Sequence, residues 1–315
     1  MELRQLRYFV AACEAGSLLK ASGRMHVAQP ALGQQIAALE HDLGARLLDR
    51  SSRGVTPTEA GKVFLEHARV VLADAERARQ AVRQSTTVPS GEVALGLTTT
   101  VALAATMPIL SACRKQLPQV KLKVVEAYSG FLRERLQSGR LDLALLYDDA
   151  SEPGLSKQPL LDDQLVLVSS ARHDLPQNVS MQELARSPLV LPGLEHGLRR
   201  IIEDACALQN LELNVVAEIE SLNSVKRAVE AGIGHTILPL GSVAEEVAQG
   251  RLRTTEIDDR RMSRRVVCAI NTTRPSSVAS SAVVQLILEV IQEMVESGAW
   301  PAKWVGDAHL RPLPG

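Results

Sequence analysis

The chain has 315 residues, 45% hydrophobic with only two Trp, three Tyr and three Phe, enough for two or three domains whose cores are filled mainly by Leu, Val, Ile and Ala. The formal net charge of −1 hides a split: residues 1–87 hold 12 Lys and Arg against 9 Asp and Glu, the remainder 23 against 27, a weakly basic front and an acidic rear. No apolar run reaches membrane-spanning length, the amino terminus carries charges where a signal segment would be apolar, and Cys13, Cys113, Cys206 and Cys268 are scattered without a C-x-x-C or a neighbouring His cluster. The expectation is a cytoplasmic protein without a disulfide framework, metal or cofactor, its thiols buried as small hydrophobes.

Residues 1–15 predict a helix with the stripe Leu3, Leu6, Phe9, Val10 and Cys13. From Ser17 to Glu40 two further helices are broken by a turn at His26 to Gln29. Pro30 suits the first turn of the second of them, where a missing N–H costs nothing. Leu32, Ile36, Leu39 and Leu43 give that helix an apolar face, while Gln29, Gly33, Gln34 and Ala37 lie opposite. Short and amide side chains suit close approach to base edges, so the hairpin reads as a helix held in a DNA groove, against the plainer reading of a helical hairpin with a solvated face. Leu47 to Val55 reads as two short strands turning near Gly54, a wing with Arg50 and Arg53 placed to meet phosphates. A new helix then opens, either on a capping box with Pro57 at its first position or with Thr58 as the cap.

Along residues 58–85, Phe64, Ala68, Val71, Ala75, Ala78 and Val82 recur at spacings of four and three, the seam of a coiled coil between two chains; the plainer reading lays the helix on its own domain. The polar stretch 86–91 marks a domain boundary. Beyond it, strands at 92–97, 120–126 and 141–146 alternate with helices at 101–117 and 130–138, predicting a parallel sheet; 165–169 and 265–270 are further strands, and between them 189–193, 215–219 and 231–239 suggest a second, similar lobe. Ligands of open α/β sheets bind beyond the carboxyl ends of strands, which singles out Thr98 to Thr100, Tyr128 to Gly130, Pro192 to Gly197 and Glu220 to Asn223. Hydroxyls there either cap helices or cap them and also bind a ligand. The acidic pairs Asp148-Asp149 and Asp162-Asp163 read as solvated loops. No P-loop, nucleophile elbow, zinc-protease helix or complete dinucleotide fingerprint is present, so an enzyme is not expected. Both tryptophans, Trp300 and Trp304, fall in a Pro-interrupted tail predicted to pack onto the first lobe or a neighbouring subunit.

Gly16-Ser17, Ala21, His26-Val27, Gln29 to Leu32, Gln35-Ile36, Leu39-Glu40, Leu43-Gly44, Leu47-Leu48, Arg50 and Thr58 to Gly61 together resemble the amino-terminal signature of LysR-type transcriptional regulators, closest to their nitrogen assimilation control branch. Ala231 to Pro239 extends the likeness into the rear of the chain. The resemblance implies an α plus α/β architecture: a winged helix-turn-helix at 1–58, a linker and dimerisation helix at 59–87, a two-lobed domain of the periplasmic-binding-protein type at 88–300, and a tail at 301–315. Lobe I would take about 91–162 and 266–300, lobe II about 163–265. It also implies promoter DNA read by Gln29, Pro30, Gln34, Arg50 and Arg53, and a small, anionic effector held by Thr98, Thr100, Ser129, His196 and Asn223. The assembly would be a homodimer through the 58–85 helix and a dimer of dimers, with RNA polymerase a further candidate partner. Leu19, Gly23, Ala28 and Gly33 depart from the pattern, Gly33 removing a hydroxyl from the recognition helix. The alternatives are a regulator of the same family that needs no effector, and a cytoplasmic solute sensor, which leaves residues 1–85 without a role.

Overall fold

The computed structural model describes residues 1–51, 54–83, 88–148, 152–173 and 176–306, with only the backbone described at 77 and 80–83. The chain forms two compact units, one spanning Met1–Val88, the other running from Pro89 onward apart from Gln137–Arg140.

The first unit contains α1 (Leu3–Ala15), α2 (Leu18–Met25), α3 (Gln29–Leu43), β1 (Leu48–Ser51), β2 (Gly54–Pro57) and α4 (Glu59–Arg83). Ser17 caps α2 by accepting the Lys20 N–H, and His26 ends that helix in the left-handed region at φ 54°. Leu6, Phe9, Ala21, Leu32, Ile36 and Leu39 meet in one core. Leu3 and Leu43 do not: at 36% and 39% exposure they sit at the rim, because each lies at a helix end beyond the reach of the facing helices. The wing pairs Leu48 with Pro57 and Ser51 with Gly54. It is tied down where Val55 donates to the Gly16 carbonyl at 3.0 Å. A side chain on Gly54 would approach that same carbonyl to 2.3 Å, and its φ of 127° also excludes ordinary residues. Of the two openings for α4, the structure has Thr58 as the cap: its Oγ1 accepts the Gly61 N–H at 2.9 Å and donates to the Arg46 carbonyl at 2.7 Å.

The expected intermolecular seam is corrected at its start. Phe64 packs on Phe9 with ring centroids 5.4 Å apart, and Ala68 is 1% exposed in the same core, so both are used inside their own domain. Arg69 reinforces this by pairing with Glu14 of α1 at 3.0 Å. Val71 and Ala78 are exposed and Ala75 half-buried, whereas the Val82 side chain lies outside the described residues.

The second unit contains β3 (Gly91–Leu97), α5 (Thr99–Gln116), β4 (Val120–Glu126), α6 (Ser129–Gln137), β5 (Leu143–Tyr147), β6 (Leu155–Ser170), β7 (Asn178–Val179), α7 (Met181–Arg186), β8 (Leu189–Leu191), α8 (Gly197–Ala207), β9 (Val215–Glu218), α9 (Leu222–Glu230), β10 (Thr236–Pro239), a 3-10 turn (Leu240–Val243), α10 (Ala244–Ala248), β11 (Leu252–Ile257), β12 (Ser263–Asn271), α11 (Val278–Glu296) and β13 (Ala302–Trp304). In lobe I, β4, β3 and β5 are parallel. That is the parallel sheet expected from the alternation, while the strands on which the chain crosses between lobes run antiparallel to their neighbours. β6 pairs along its first part with β12 and along its last six residues with β10 and β11. The strand read at 165–169 is thus the far end of a strand of 16 residues. In lobe II, β8 and β9 are parallel, and β8 bridges to the start of β10 at His235.

Lobe I closes over Leu95, Ile109, Leu145, Val283 and Ile287, and lobe II over Leu167, Leu184, Ile202, Val229 and Ile237. Each such side chain contributes roughly 1.5–3 kcal/mol on burial. Among the described residues α11 is long and apolar enough to cross a membrane, contrary to the sequence reading, but ten of its residues are buried in this chain. The tail packs as expected: Trp300 is 1% exposed in the lobe I core, and β13 adds to β6.

Gly61 generates the first prediction. A Cβ there would stand 1.9 Å from the Leu47 carbonyl oxygen, backbone that cannot yield cheaply. Gly61→Ala is expected to lower the stability of the first unit by about 2 kcal/mol or more, read as a downshift of its calorimetric transition in the full chain with that of the second unit unmoved.

Candidate nucleic-acid interface and ligand cleft

The core contacts of Leu32, Ile36 and Leu39 turn the opposite face of α3 outward. Gln29, Pro30, Ala31, Gln34 and Ala37 are exposed on it, and Gly33 is half-buried with nothing within 4 Å of where its Cβ would be. Gly33 therefore answers no packing need inside this unit. Lys20 and Arg24 of α2 are exposed as well. On the wing, the Arg50 side chain is 43% exposed and stands 3.8 Å from Glu40 Oε2. Arg53 lies outside the described residues.

Glu40 is the residue that sequence reasoning passed over. Only its place in the family signature marked it, yet its Oε1 accepts the N–H groups of Leu47 and Leu48 at 2.7 and 3.0 Å. Hydrogen bonds to a charged acceptor contribute about 1.5–3 kcal/mol. One carboxylate thus joins α3 to the wing and holds Arg50 beside both. No periodicity in the sequence signals a contact of this kind.

In lobe I, parallel pairing brings the ends of β3, β4 and β5 to one edge: Leu97 is in register with Glu126 and with Leu145. Thr98, Thr100, Ser129 and Tyr147 therefore gather there, at the N-termini of α5 and α6. Thr98 occupies the N-cap position of α5 without making a side-chain cap bond. It is 4% exposed and its Oγ1 has no hydrogen-bond partner, a costly state for a buried hydroxyl. Thr100 Oγ1, by contrast, is 2.6 Å from the Tyr147 hydroxyl. Ser129 is half-buried and the neighbouring Tyr128 is 66% exposed.

In lobe II the segments ahead of His196 and Asn223 meet where the Gly193 N–H donates to Glu220 Oε1 at 2.9 Å. His196 caps α8, its Nδ1 accepting the Leu198 N–H at 3.2 Å, so one ring nitrogen already serves the helix. Asn223 is exposed on α9 and lines a cavity of about 430 Å³ with Lys226, Arg227, Glu230, Glu246 and Arg251. His196 is not part of that lining. Two of the cations there are matched within the cavity, Lys226 to Glu246 at 3.0 Å and Arg251 to Glu230.

The acidic pairs divide. Asp162 is bonded to Arg265 at 2.8 and 3.0 Å, and Asp148 to Lys157 at 3.2 Å, while Asp149 lies outside the described residues. Asp163, expected in a solvated loop, is 1% exposed on β6, because the period of a strand turns alternate residues inward. Burial raises its carboxyl to about 6, opposed by the Trp300 indole hydrogen bond, by Arg264 and by Tyr147. Burial also raises the Tyr147 hydroxyl to about 12. The Arg264 guanidinium lies over the Tyr147 ring, 3.2 Å from its centroid. Tyr147, Asp163, Arg264 and Trp300 were not singled out as a group from sequence, since three strands and the tail contribute one residue each.

The cysteines are unpaired, and burial raises the thiols of Cys13, Cys113, Cys206 and Cys268, the last to about 12. Thiolate is the reactive form, so none of them is poised for redox chemistry.

A winged helix-turn-helix with an outward, small-residue recognition helix, followed by a two-lobed α/β domain with polar strand ends, defines a bacterial transcriptional regulator. Residues 3–62 match the family described as "Bacterial regulatory helix-turn-helix protein, lysR family", and residues 86–292 match "LysR substrate binding domain". The chain belongs to the LysR family of transcriptional regulators. It is 40% identical over 241 residues to a nitrogen assimilation regulatory protein of Klebsiella aerogenes, covering 76% of this chain and 78% of that one. Its counterpart in Escherichia coli is 39% identical over the same length and shares. Full-length OxyR from Pseudomonas aeruginosa superposes with a TM-score of 0.73 at 23% identity, over 93% of this chain and 95% of that one. Full-length CbnR complexed with its target DNA gives 0.71 at 23%, over 93% and 99%. These relatives are regulators, not enzymes.

Asp163 generates the second prediction. An acid whose folded pKa is raised from 3.8 to about 6 adds stability that is fully present below the unfolded value and lost as pH rises through the folded one. The difference in Tm between Asp163→Asn and the parent should therefore be more favourable to the variant at about pH 7.5 than at about pH 4.5. A difference that does not vary with pH would contradict the buried ionised carboxylate.

Proposed function

We propose that the chain is a sequence-specific regulator of promoter DNA whose two-lobed domain binds a small anionic effector. The observation that carries the DNA half is the outward face of α3, bare of large side chains at Gly33 and Ala37 and bordered by amides at Gln29 and Gln34. Pro30 fixes the first turn of that helix, and Gln34 suits bidentate pairing with adenine. Arg50 and Arg53 contact phosphates; the half-exposed Arg50 side chain stands 3.8 Å from Glu40, a loose pair from which the guanidinium exchanges onto a phosphate. CbnR, of the same fold, is solved in complex with its target DNA, which supports the binding of promoter DNA. The exposed Val71 and Ala78 and the half-buried Ala75 remain as the seam between two chains, with a dimer of dimers and contact with RNA polymerase as the larger assembly.

Gel-shift titrations across salt test the assignment. Gln34→Ala is expected to relax sequence preference, whereas Arg50→Ala and Arg53→Ala each weaken specific and random DNA alike and lower the salt slope by about one. Val71→Glu should abolish cooperative binding to paired half-sites. Uniform losses from all of these variants would move the groove contacts elsewhere.

The effector half is carried by the unpartnered Thr98 hydroxyl beside the N-termini of α5 and α6, with Thr100 and Ser129 alongside and His196 and Asn223 offered by lobe II. A buried hydroxyl without a partner costs about 1–3 kcal/mol, so Thr98→Val is expected to leave the unliganded chain as stable or more so. Screened against small carboxylates and inorganic phosphate, the parent should gain about 2.7 kcal/mol at a hundredfold excess over Kd, and the variant nothing. Loss of stability in Thr98→Val would make the hydroxyl structural, and a panel without any shift would favour a regulator that needs no effector.

A further inference from the structure

We infer that the carboxyl-terminal segment from Trp300 to Trp304 is a latch across the junction of the two lobes, wired through Asp163 and Tyr147 to Thr100 at the lobe I strand ends; the wiring rests on the reading of those strand ends as the effector site. Asp163 sits on β6 where that strand passes from pairing with β12 to pairing with β10 and β11, the point at which lobe I becomes lobe II. The tail holds the strand there. Ala302 pairs with Asp163 and Trp304 with Leu161, while the N–H groups of Val305 and Gly306 both donate to the Leu160 carbonyl, at 2.9 and 3.1 Å. Residues 161–163 are thus flanked by β12 on one edge and β13 on the other.

Trp300 touches both lobes. Its backbone N–H donates to Met294 of α11 at 2.9 Å, and its ring lies in the lobe I core. The indole edge also faces Gly241 in the turn after β10 of lobe II, where an added Cβ would stand 3.4 Å from Cδ1 and 3.5 Å from Nε1. A movement of that turn against lobe I would bear on the indole.

The two oxygens of Asp163 are divided between the tail and the strand ends. Oδ1 accepts the Trp300 indole N–H at 3.4 Å, and Oδ2 accepts the Tyr147 hydroxyl at 3.5 Å. Tyr147 in turn lies 2.6 Å from Thr100 Oγ1. Both bonds to the carboxylate are long for their type, so neither side holds it firmly. A ligand that draws the Thr100 hydroxyl away redirects the Tyr147 hydroxyl, and with it the carboxylate on which the indole is anchored. The Tyr147 hydroxyl can donate either to Asp163 or to Thr100, and two such discrete arrangements are the requirement for coupling one place to another.

Because the chain has only two tryptophans, Trp304→Phe leaves Trp300 as sole reporter in the full-length protein without any ligand. Its indole N–H exchange, emission maximum and acrylamide quenching are then read. In that background we expect blue-shifted, poorly quenched emission, and an indole exchange rate about fivefold higher when Tyr147→Phe or Thr100→Val removes one hydrogen bond of the chain. Gly241→Val should expel the indole and shift its emission to the red. Val179→Ala, in the lobe II core away from this chain, serves as the control for general softening and should leave the indole exchange unchanged. The latch is overturned if Tyr147→Phe and Thr100→Val leave the exchange as it was, if the control raises it equally, or if Gly241→Val leaves the emission unmoved. As no ligand enters this test, its failure leaves the effector screen standing, and failure of the screen leaves these rates interpretable.

Discussion

One strand serving two sheets is the constraint on which the effector domain depends. β6 gives its first residues to lobe I and its last six to lobe II, so each lobe completes its hydrogen bonding with one half of a single continuous strand. A backbone polar group left unpaired in either core would cost about as much as a lost hydrogen bond, which forces the register of β12, β10 and β11. The residue at the changeover, Asp163, is a carboxylate buried on that strand. It persists because Trp300, Tyr147 and Arg264 surround it.

The DNA-binding unit is organised by a smaller version of the same economy of contacts. Its core is a handful of aliphatic side chains and one pair of phenyl rings, and the wing would hang loosely from it if backbone contacts did not anchor it. Glu40, Gly16 and Thr58 supply those anchors, each by a hydrogen bond to a wing or wing-flanking backbone group. The close approach of Gly61 to Leu47 leaves no space for a larger residue. Rigid placement matters because phosphate contacts set register on the duplex before base edges are read. The net charge of the front is too small to hold DNA by attraction alone.

Within the effector domain, two threonines two residues apart illustrate opposite uses of a hydroxyl. Thr100 is satisfied internally by Tyr147, whereas Thr98 is buried and unsatisfied, although both stand at the start of one helix. The helix N-termini around them offer unpaired N–H groups and a favourable field for an anion. The cavity on α9 and α10 is different in kind, since Lys226 and Arg251 there already face carboxylates of the same chain.

Much of this was legible from residues alone, for a physical reason: helices and strands with one buried face carry their periodicity in the sequence. Leu32, Ile36 and Leu39 marked the buried side of α3 and thereby its exposed side, and the alternation after residue 91 marked an α/β domain, strand by strand at 92–97 and 120–126. The rest depended on which surfaces meet. Phe64 and Ala68 have the spacing of a seam, and only the position of Phe9 decides that they pack within the chain. Asp163 looks like one half of a solvated acidic pair until a strand turns it inward and a tail one hundred and thirty-seven residues away brings an indole to it. Periodicity is a property of neighbours along the chain. Partnerships such as Glu40 with the wing, or Asp163 with Trp300, are properties of distance in space, and tertiary structure alone decides them.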